Sequence, residues 1–321
     1  MTPKNKSHIQ KWRTTIQDDG LRIRLISSES PEMGALREFC DELIGLVPEI
    51  HLKKEDPDTG PSPGIRISDN ITYQAVPLDQ ELTPFLAALN GVGTSEIDPA
   101  TKEALSRLKA PALIDVFMAP QCPFCPTVVT LVLSLALASS LVHVNIVDGT
   151  LFGDMARDAR IRSVPTVILD DQFRWTGAIQ PGEIVDMMLN RDPARLGAET
   201  LVKMLQDGTA GQLAEMMIEY RKIFPAFLDL VTHPKWFIRL GAMVAFEYLA
   251  ESDEELTGQA VTTLLNRFWE CDDNVRGDVL HLVGESGHLP ARDRIAELVK
   301  GDLSDDTREA AEEALANLRR G

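Results

Sequence analysis

The chain has 321 residues, 44% of them hydrophobic and 25% charged, and a formal net charge of −17. That length exceeds one small domain, and that composition builds packed cores, so a disordered chain is excluded. The acidity is evenly spread, −8 over residues 1–190 (17 basic, 25 acidic) and −9 over 191–321 (15 basic, 24 acidic). Phosphate backbones and anionic membranes would be repelled along the whole surface, so neither nucleic acid nor membrane is an expected partner.

Residues 1–20, "MTPKNKSHIQKWRTTIQDDG", are polar throughout and read as an N-terminal extension, not a secretory signal. The next stretch, 21–92, contains "IRLISSESPEMG" (23–34) and "PGIRISDNITYQ" (63–74). Both recur downstream. The first aligns with "IDVFMAPQCPFC" (114–125) at an offset of 91, placing Pro31 on Cys122 and Gly34 on Cys125. The second aligns with "PTVILDDQFRWT" (165–176) at an offset of 102, placing Tyr73 on Trp175 and Glu81 on Glu183. The first copy thus keeps a scaffold and lacks both sulfurs, and Cys40 matches neither position.

Within 99–190 the elements alternate. "LIDVFM" (113–118) is a short apolar run and reads as a buried strand. The pair Cys122 and Cys125 follows, then apolar residues long enough for a helix. "VVTLVLSLALASSLV" (128–142) holds three serines in 15 residues, too short and too polar for a membrane span. "LVHVNIVD" (141–148) alternates as a strand, and "FGDMARDARI" (152–161) suits a helix. "PTVILDD" and "FRWTG" read as two strands turning at Asp171-Gln172, and "GEIVDMML" (182–189) as a closing helix after Pro181. The order is β-α-β-α-β-β-α, with the cysteine pair at the first strand-to-helix junction.

Four cysteines at irregular spacing in so long a chain do not make a disulfide framework, and the reading is of a cytoplasmic protein. A structural metal would need four ligands, usually a second CxxC or paired histidines. Cys40, Cys271, His281 and His288 are too far along the chain to supply them, so no metal is assigned. A thiol at a helix N-terminus faces unpaired backbone N–H groups and the positive dipole end, which favour thiolate. Cys122, at the entry, is the expected attacking thiol and Cys125, one turn in, the resolving one. Pro123 fits a first helical turn.

Cys122-Pro123-Phe124-Cys125 after a strand, with Ser163-Val164-Pro165-Thr166 forty residues beyond Cys125, resembles the thioredoxin superfamily. Two copies, of which only the second bears CxxC, resemble the N-terminal disulfide-reducing domain of the alkyl hydroperoxide reductase flavoprotein and the archaeal protein disulfide oxidoreductases. The resemblance implies an α/β fold of two tandem thioredoxin folds, 21–92 without CxxC and 99–190 with CPFC. It implies a cis Pro165 packed against the dithiol, with Val164 offering backbone groups to a substrate strand. It also implies a buried acid behind the dithiol. Asp115 sits one residue off that spacing, so proton relay and a bland strand-end carboxylate both stay open. Phe124 either shields the dithiol or simply packs. No GxGxxG occurs, so no flavin or nicotinamide cofactor is assigned.

Residues 196–321 read as helix after helix. "HPKWFIRLGAMVAFEYLA" (233–250), "CDDNVRGDVLHLVGESG" (271–287) and "LSDDTREAAEEALANL" (303–318) each open polar and carry an early arginine. Arg239, Arg276 and Arg308 are 37 and 32 residues apart, which resembles HEAT-type repeats and implies an all-α HEAT-like domain over 196–321. Together these features lead us to expect a dithiol–disulfide oxidoreductase. It would carry electrons from a separate reductase to a protein disulfide, such as that of a peroxiredoxin. A glutaredoxin-like use of glutathione is disfavoured, since "DDQFRWTGAIQPGE" lacks Gly-Gly-x-Asp. The competing expectation is a binding scaffold or redox-sensing adaptor whose helical repeats dock a partner.

Overall fold

The structure, a computed structural model, describes residues 1–16, 20–55, 62–91 and 97–318. The boundary expected at 92 and the last three residues of the helical region lie outside them. The chain divides into two compact units, Met1–Asn190 and Arg191–Gly321.

The first unit runs α1 (Pro3–Arg13), β1 (Arg22–Ile26), α2 (Met33–Leu46), β2 (His51–Glu55), β3 (Gly64–Ser68), β4 (Ile71–Gln74) and α3 (Leu82–Leu89). It continues with α4 (Pro99–Ser106), β5 (Ala112–Met118), α5 (Cys125–Ala138), β6 (Val142–Asp148), α6 (Gly153–Asp158), β7 (Thr166–Leu169), β8 (Phe173–Thr176) and α7 (Pro181–Asn190). The polar N-terminal stretch supplies a helix of its own: Thr2 caps it, Pro3 opens it, and Ile9 is fully buried.

The eight strands among the described residues form one mixed sheet in the order β2-β1-β3-β4-β6-β5-β7-β8. Each half has the same internal pattern. β1 pairs parallel with β2 and antiparallel with β3, as β5 does with β6 and β7. Even the registers correspond: Leu25 faces Ile65 and Ile65 faces Tyr73, as Val116 faces Val167 and Val167 faces Trp175. The halves join where β4 lies parallel to β6. Side chains alternate across a strand, and one face of the sheet (Leu25, Ile65, Tyr73, Ile146, Val116, Val167) is fully buried. The opposite face carries a polar row, Arg24, Arg66, Thr72, Asn145 and Asp115, in register across neighbouring strands, beside Phe117, Val147 and Ile168, which are buried. The β7–β8 turn is centred on Asp170-Asp171, both with positive φ, one residue earlier than the sequence suggests. Asp170 tolerates that backbone and accepts the Leu113 N–H (3.0 Å), which ties the turn to β5.

The second unit contains α8 (Ala198–Gln206), α9 (Ala210–Glu219), α10 (Pro225–Val231), α11 (Trp236–Ser252), α12 (Glu254–Asn266), α13 (Asp273–Glu285), α14 (Ala291–Leu298) and α15 (Asp305–Asn317). Three arginines perform one task. A helix end leaves carbonyls without intrahelical partners. Arg239 donates to the carbonyls of His233 and Pro234, Arg276 to those of Phe268 and Trp269, and Arg308 to those of Val299 and Gly301. Each early-helix arginine therefore ties down the chain segment just before its own helix. Arg239, itself buried, also pairs with Asp278 on α13.

α13 and α15 meet at Gly284, where an added Cβ would lie 2.9 Å from Ala314 Cα, a backbone atom that cannot swing aside. Gly284→Ala should therefore destabilise the second unit by about 2 kcal/mol, despite the better helix propensity of alanine. Thermal unfolding checks this; a variant as stable as wild type would show that the helices separate freely.

Candidate active site

The dithiol sits where β5 ends and α5 begins. Cys122 and Cys125 are joined as a disulfide with Cα atoms 5.5 Å apart. α5 starts at Cys125, so Pro126, not Pro123, occupies the first helical turn. Its missing N–H falls where no intrahelical partner exists. Cys122, Pro123 and Phe124 precede the helix, and the Cys125 N–H donates to Cys122 Sγ at 3.1 Å. In the reduced protein this backbone donor would favour charge on the Cys122 sulfur.

Burial separates the two sulfurs. Cys125 is inaccessible, packed into the core of the first unit, while Cys122 is partly exposed. Phe124 stands 72% exposed beside them. That exposure leaves most of its ring in solvent. The Val164–Pro165 peptide bond is cis, and the Val164 carbonyl oxygen lies 3.8 Å from Cys122 Sγ. Pro165 is buried and Val164 half-buried, so the loop reaches the dithiol through backbone.

Asp115 lies in the middle of β5, three residues before its end. Its Oδ1 accepts from Asn145 Nδ2 (3.0 Å), which also donates to Gln74 Oε1 (2.7 Å), linking β5, β6 and β4. Val116, its neighbour, points to the buried face instead. Asp115 is thus part of a cross-strand network.

The alignment of Glu81 with Glu183 singles out a position whose burial the sequence does not reveal. Glu183 is exposed and accepts from Trp175 Nε1 (2.9 Å). Glu81 is 2% exposed, and neither of its carboxylate oxygens has a hydrogen-bond partner among the described residues. Burial pushes its carboxyl up to about 7. Of the remaining thiols, Cys40 is fully buried and burial pushes it up to about 12, which keeps it protonated and inert. Cys271 is raised by burial as well. No helix among the described residues is long and apolar enough to cross a membrane.

Residues 112–190, which hold this strand, both cysteines and the cis-proline loop, match the family model described as a thioredoxin domain. Among particular proteins, the chain is similar to AhpF, the F component of alkyl hydroperoxide reductase. It is 28% identical to that of Xanthomonas campestris pv. phaseoli over 210 residues, covering 60% of this chain and 39% of the relative. To that of Pseudomonas aeruginosa it is 24% identical over 197 residues, covering 59% and 34%. The chain thus spans little more than a third of the length of these relatives. Among solved structures, the NTD_N/C domain of AhpF from Enterococcus faecalis matches with a TM-score of 0.50 at 19% identity, covering 59% of this chain and 99% of the other. A protein disulfide oxidoreductase from Aeropyrum pernix matches at 0.50 and 16%, covering 59% and 92%. Such distant structural likeness establishes the fold.

Proposed function

We propose that this protein is a dithiol–disulfide oxidoreductase built from two tandem thioredoxin folds and a HEAT-like helical module. The observation that carries the reading is the asymmetry of the Cys122–Cys125 pair, one sulfur accessible and one buried, beside a cis-proline loop. The repeated strand registers favour a common plan for the halves, and the three carbonyl-binding arginines favour a helical repeat. The second half does the chemistry. The first, with Pro31 and Gly34 in place of sulfurs, serves as structure or docking face.

In the reaction, the Cys122 thiolate attacks a substrate disulfide, forming a mixed disulfide and releasing one substrate thiolate, which takes a proton. The Cys125 thiolate then attacks Cys122 Sγ, closing the intramolecular disulfide and releasing the second substrate thiol. Two electrons leave the protein dithiol and reduce the substrate, and a separate reductase restores the dithiol. The Val164 backbone would hold the substrate chain as an added strand, with Phe124 packing against it. Similarity to AhpF makes a peroxiredoxin disulfide the first substrate to try.

Turnover decides between this reading and a binding scaffold. With dithiothreitol as electron donor, the full chain should accelerate insulin disulfide reduction at least about tenfold over background. It should reduce an oxidised peroxiredoxin faster still. No acceleration with either substrate would leave the dithiol a structural or sensing bridge.

A further inference from the structure

α11 departs from its neighbours in the second unit. Its inner face buries Ile238, Ala242, Ala245, Phe246 and Leu249, as a core helix should. Its outer face is apolar too. Trp236, Leu240, Val244 and Tyr248 recur one turn apart with Phe237 beside them, all 36 to 53% exposed. By contrast the outward positions of α13 include His281 and Glu285, and those of α15 Glu309, Glu312 and Glu313. A surface helix normally turns charge to solvent. The stripe runs about 18 Å along the axis at 1.5 Å per residue. Its three half-exposed aromatics alone present on the order of 300 Å², a contiguous patch of the size that marks an interaction site.

The rim is acidic at its C-terminal end, whereas Lys235 and the Arg239 guanidinium over the Trp236 ring put positive charge at its N-terminal end. Glu247 and Glu251 continue the same face toward the helix C-terminus, both exposed. With His281 and Glu285 of α13 they line a cleft of about 320 Å³. We propose that the outer face of α11 docks an amphipathic helix of a partner protein. The partner's apolar ridge would lie along Trp236–Tyr248, and its lysines or arginines would meet Glu247, Glu251 and Glu285. Side chains four apart form ridges that fit the grooves of a second helix, so an i, i+4 stripe is a helix-binding shape. Charge decides the occupant: a second copy would set one −17 chain against another and bring the same carboxylates to the rim. The inference needs no redox step, and its test reads binding alone, so it stands or falls separately from the dithiol chemistry.

The probe is a fluorescein-labelled 18-residue peptide of leucine and lysine with all leucines on one helical face, titrated with the full chain at 150 mM salt and followed by anisotropy. Wild type should bind it at least ten times more tightly than the Leu240→Glu/Val244→Glu variant. That variant adds two negative charges, so attraction governed by charge alone would strengthen. Tyr248→Ala, which changes no charge, should also weaken binding several-fold, and circular dichroism verifies that both variants fold. A scrambled peptide of equal composition should bind at least ten times more weakly. Unchanged binding by the double variant, or equal binding of the scrambled peptide, overturns the proposal. So does sedimentation of wild type as a dimer that Leu240→Glu dissociates, since the face then belongs to a second copy.

Discussion

Cys122→Ser should abolish disulfide reduction, lowering turnover by at least about a thousandfold, the scale seen when a nucleophile is removed. Cys125→Ser should stop the cycle elsewhere. It keeps the accessible sulfur and therefore completes the first attack, but nothing remains to displace the substrate from Cys122, and a mixed disulfide accumulates. The difference follows from burial: a substrate sulfur can reach Cys122, while Cys125 is closed off in the core. In the reduced protein, iodoacetamide should accordingly label Cys122 at least about tenfold faster than Cys125, and at lower pH than an ordinary thiol. Non-reducing electrophoresis and mass spectrometry of each single variant read both results. Faster labelling of Cys125, or mixed disulfides trapped by Cys122→Ser instead, would reverse the assigned roles.

The parts of this architecture that sequence reveals are those where one residue type has one physical use. A CxxC between an apolar strand and an apolar run, followed by Val-Pro, predicts the strand–loop–helix and its proline partner, and the structure has both. The offset of 102 sets Tyr73 on Trp175, and in the sheet these two residues hold corresponding positions, Tyr73 opposite Ile65 and Trp175 opposite Val167, before a register shift in β3–β4 ends the correspondence. Arg239, Arg276 and Arg308 stand out by spacing, although only the folded chain reveals that they bind the carbonyls behind them. Other features depend on context that no local pattern encodes. α1 has little apolar content, yet Ile9 and Trp12 seat it on the core, with Asn5 buried beside them. The start of α5 falls three residues later than Cys122 because Pro126 and Pro123 are equally acceptable openings by local rule, and tertiary geometry chooses. Asp115 stands one residue off the spacing of the resembled acid, and its hydrogen bond to Asn145, itself bonded to Gln74, depends on neighbouring strands that no local pattern names. Phe124 and the outer face of α11 are apolar residues left in solvent, which hydrophobicity alone assigns to the interior.

Glu81→Gln should stabilise the first unit at alkaline pH and leave it nearly unchanged in acid. Glu81 precedes α3 and is 2% exposed, and neither oxygen has a hydrogen-bond partner among the described residues. It lies close enough to the fully buried Tyr73 for its negative charge to help raise the phenol, after burial itself. Burial disfavours the ionised carboxyl, raising it from an ordinary 4.5 to about 7 in the folded protein. A folded-state value above the unfolded one means that the native state holds its proton longer. Stability is therefore fully present below pH 4.5, declines as pH rises toward 7 while only the unfolded chain ionises, and stays reduced above that. A difference of this size corresponds to about 3 kcal/mol. Glutamine keeps the shape and cannot ionise, so its advantage over wild type should grow across that window and then level off. Urea unfolding at a series of pH values measures it, followed through Trp12 and Trp175 in a Trp236→Phe/Trp269→Phe background that silences the second unit. Taking the difference between variant and wild type cancels every other titrating group. Parallel stability curves from pH 4 to 9 would mean that water or a rearranged α3 solvates the carboxylate, and that Glu81 is not the closed-off acid its burial describes.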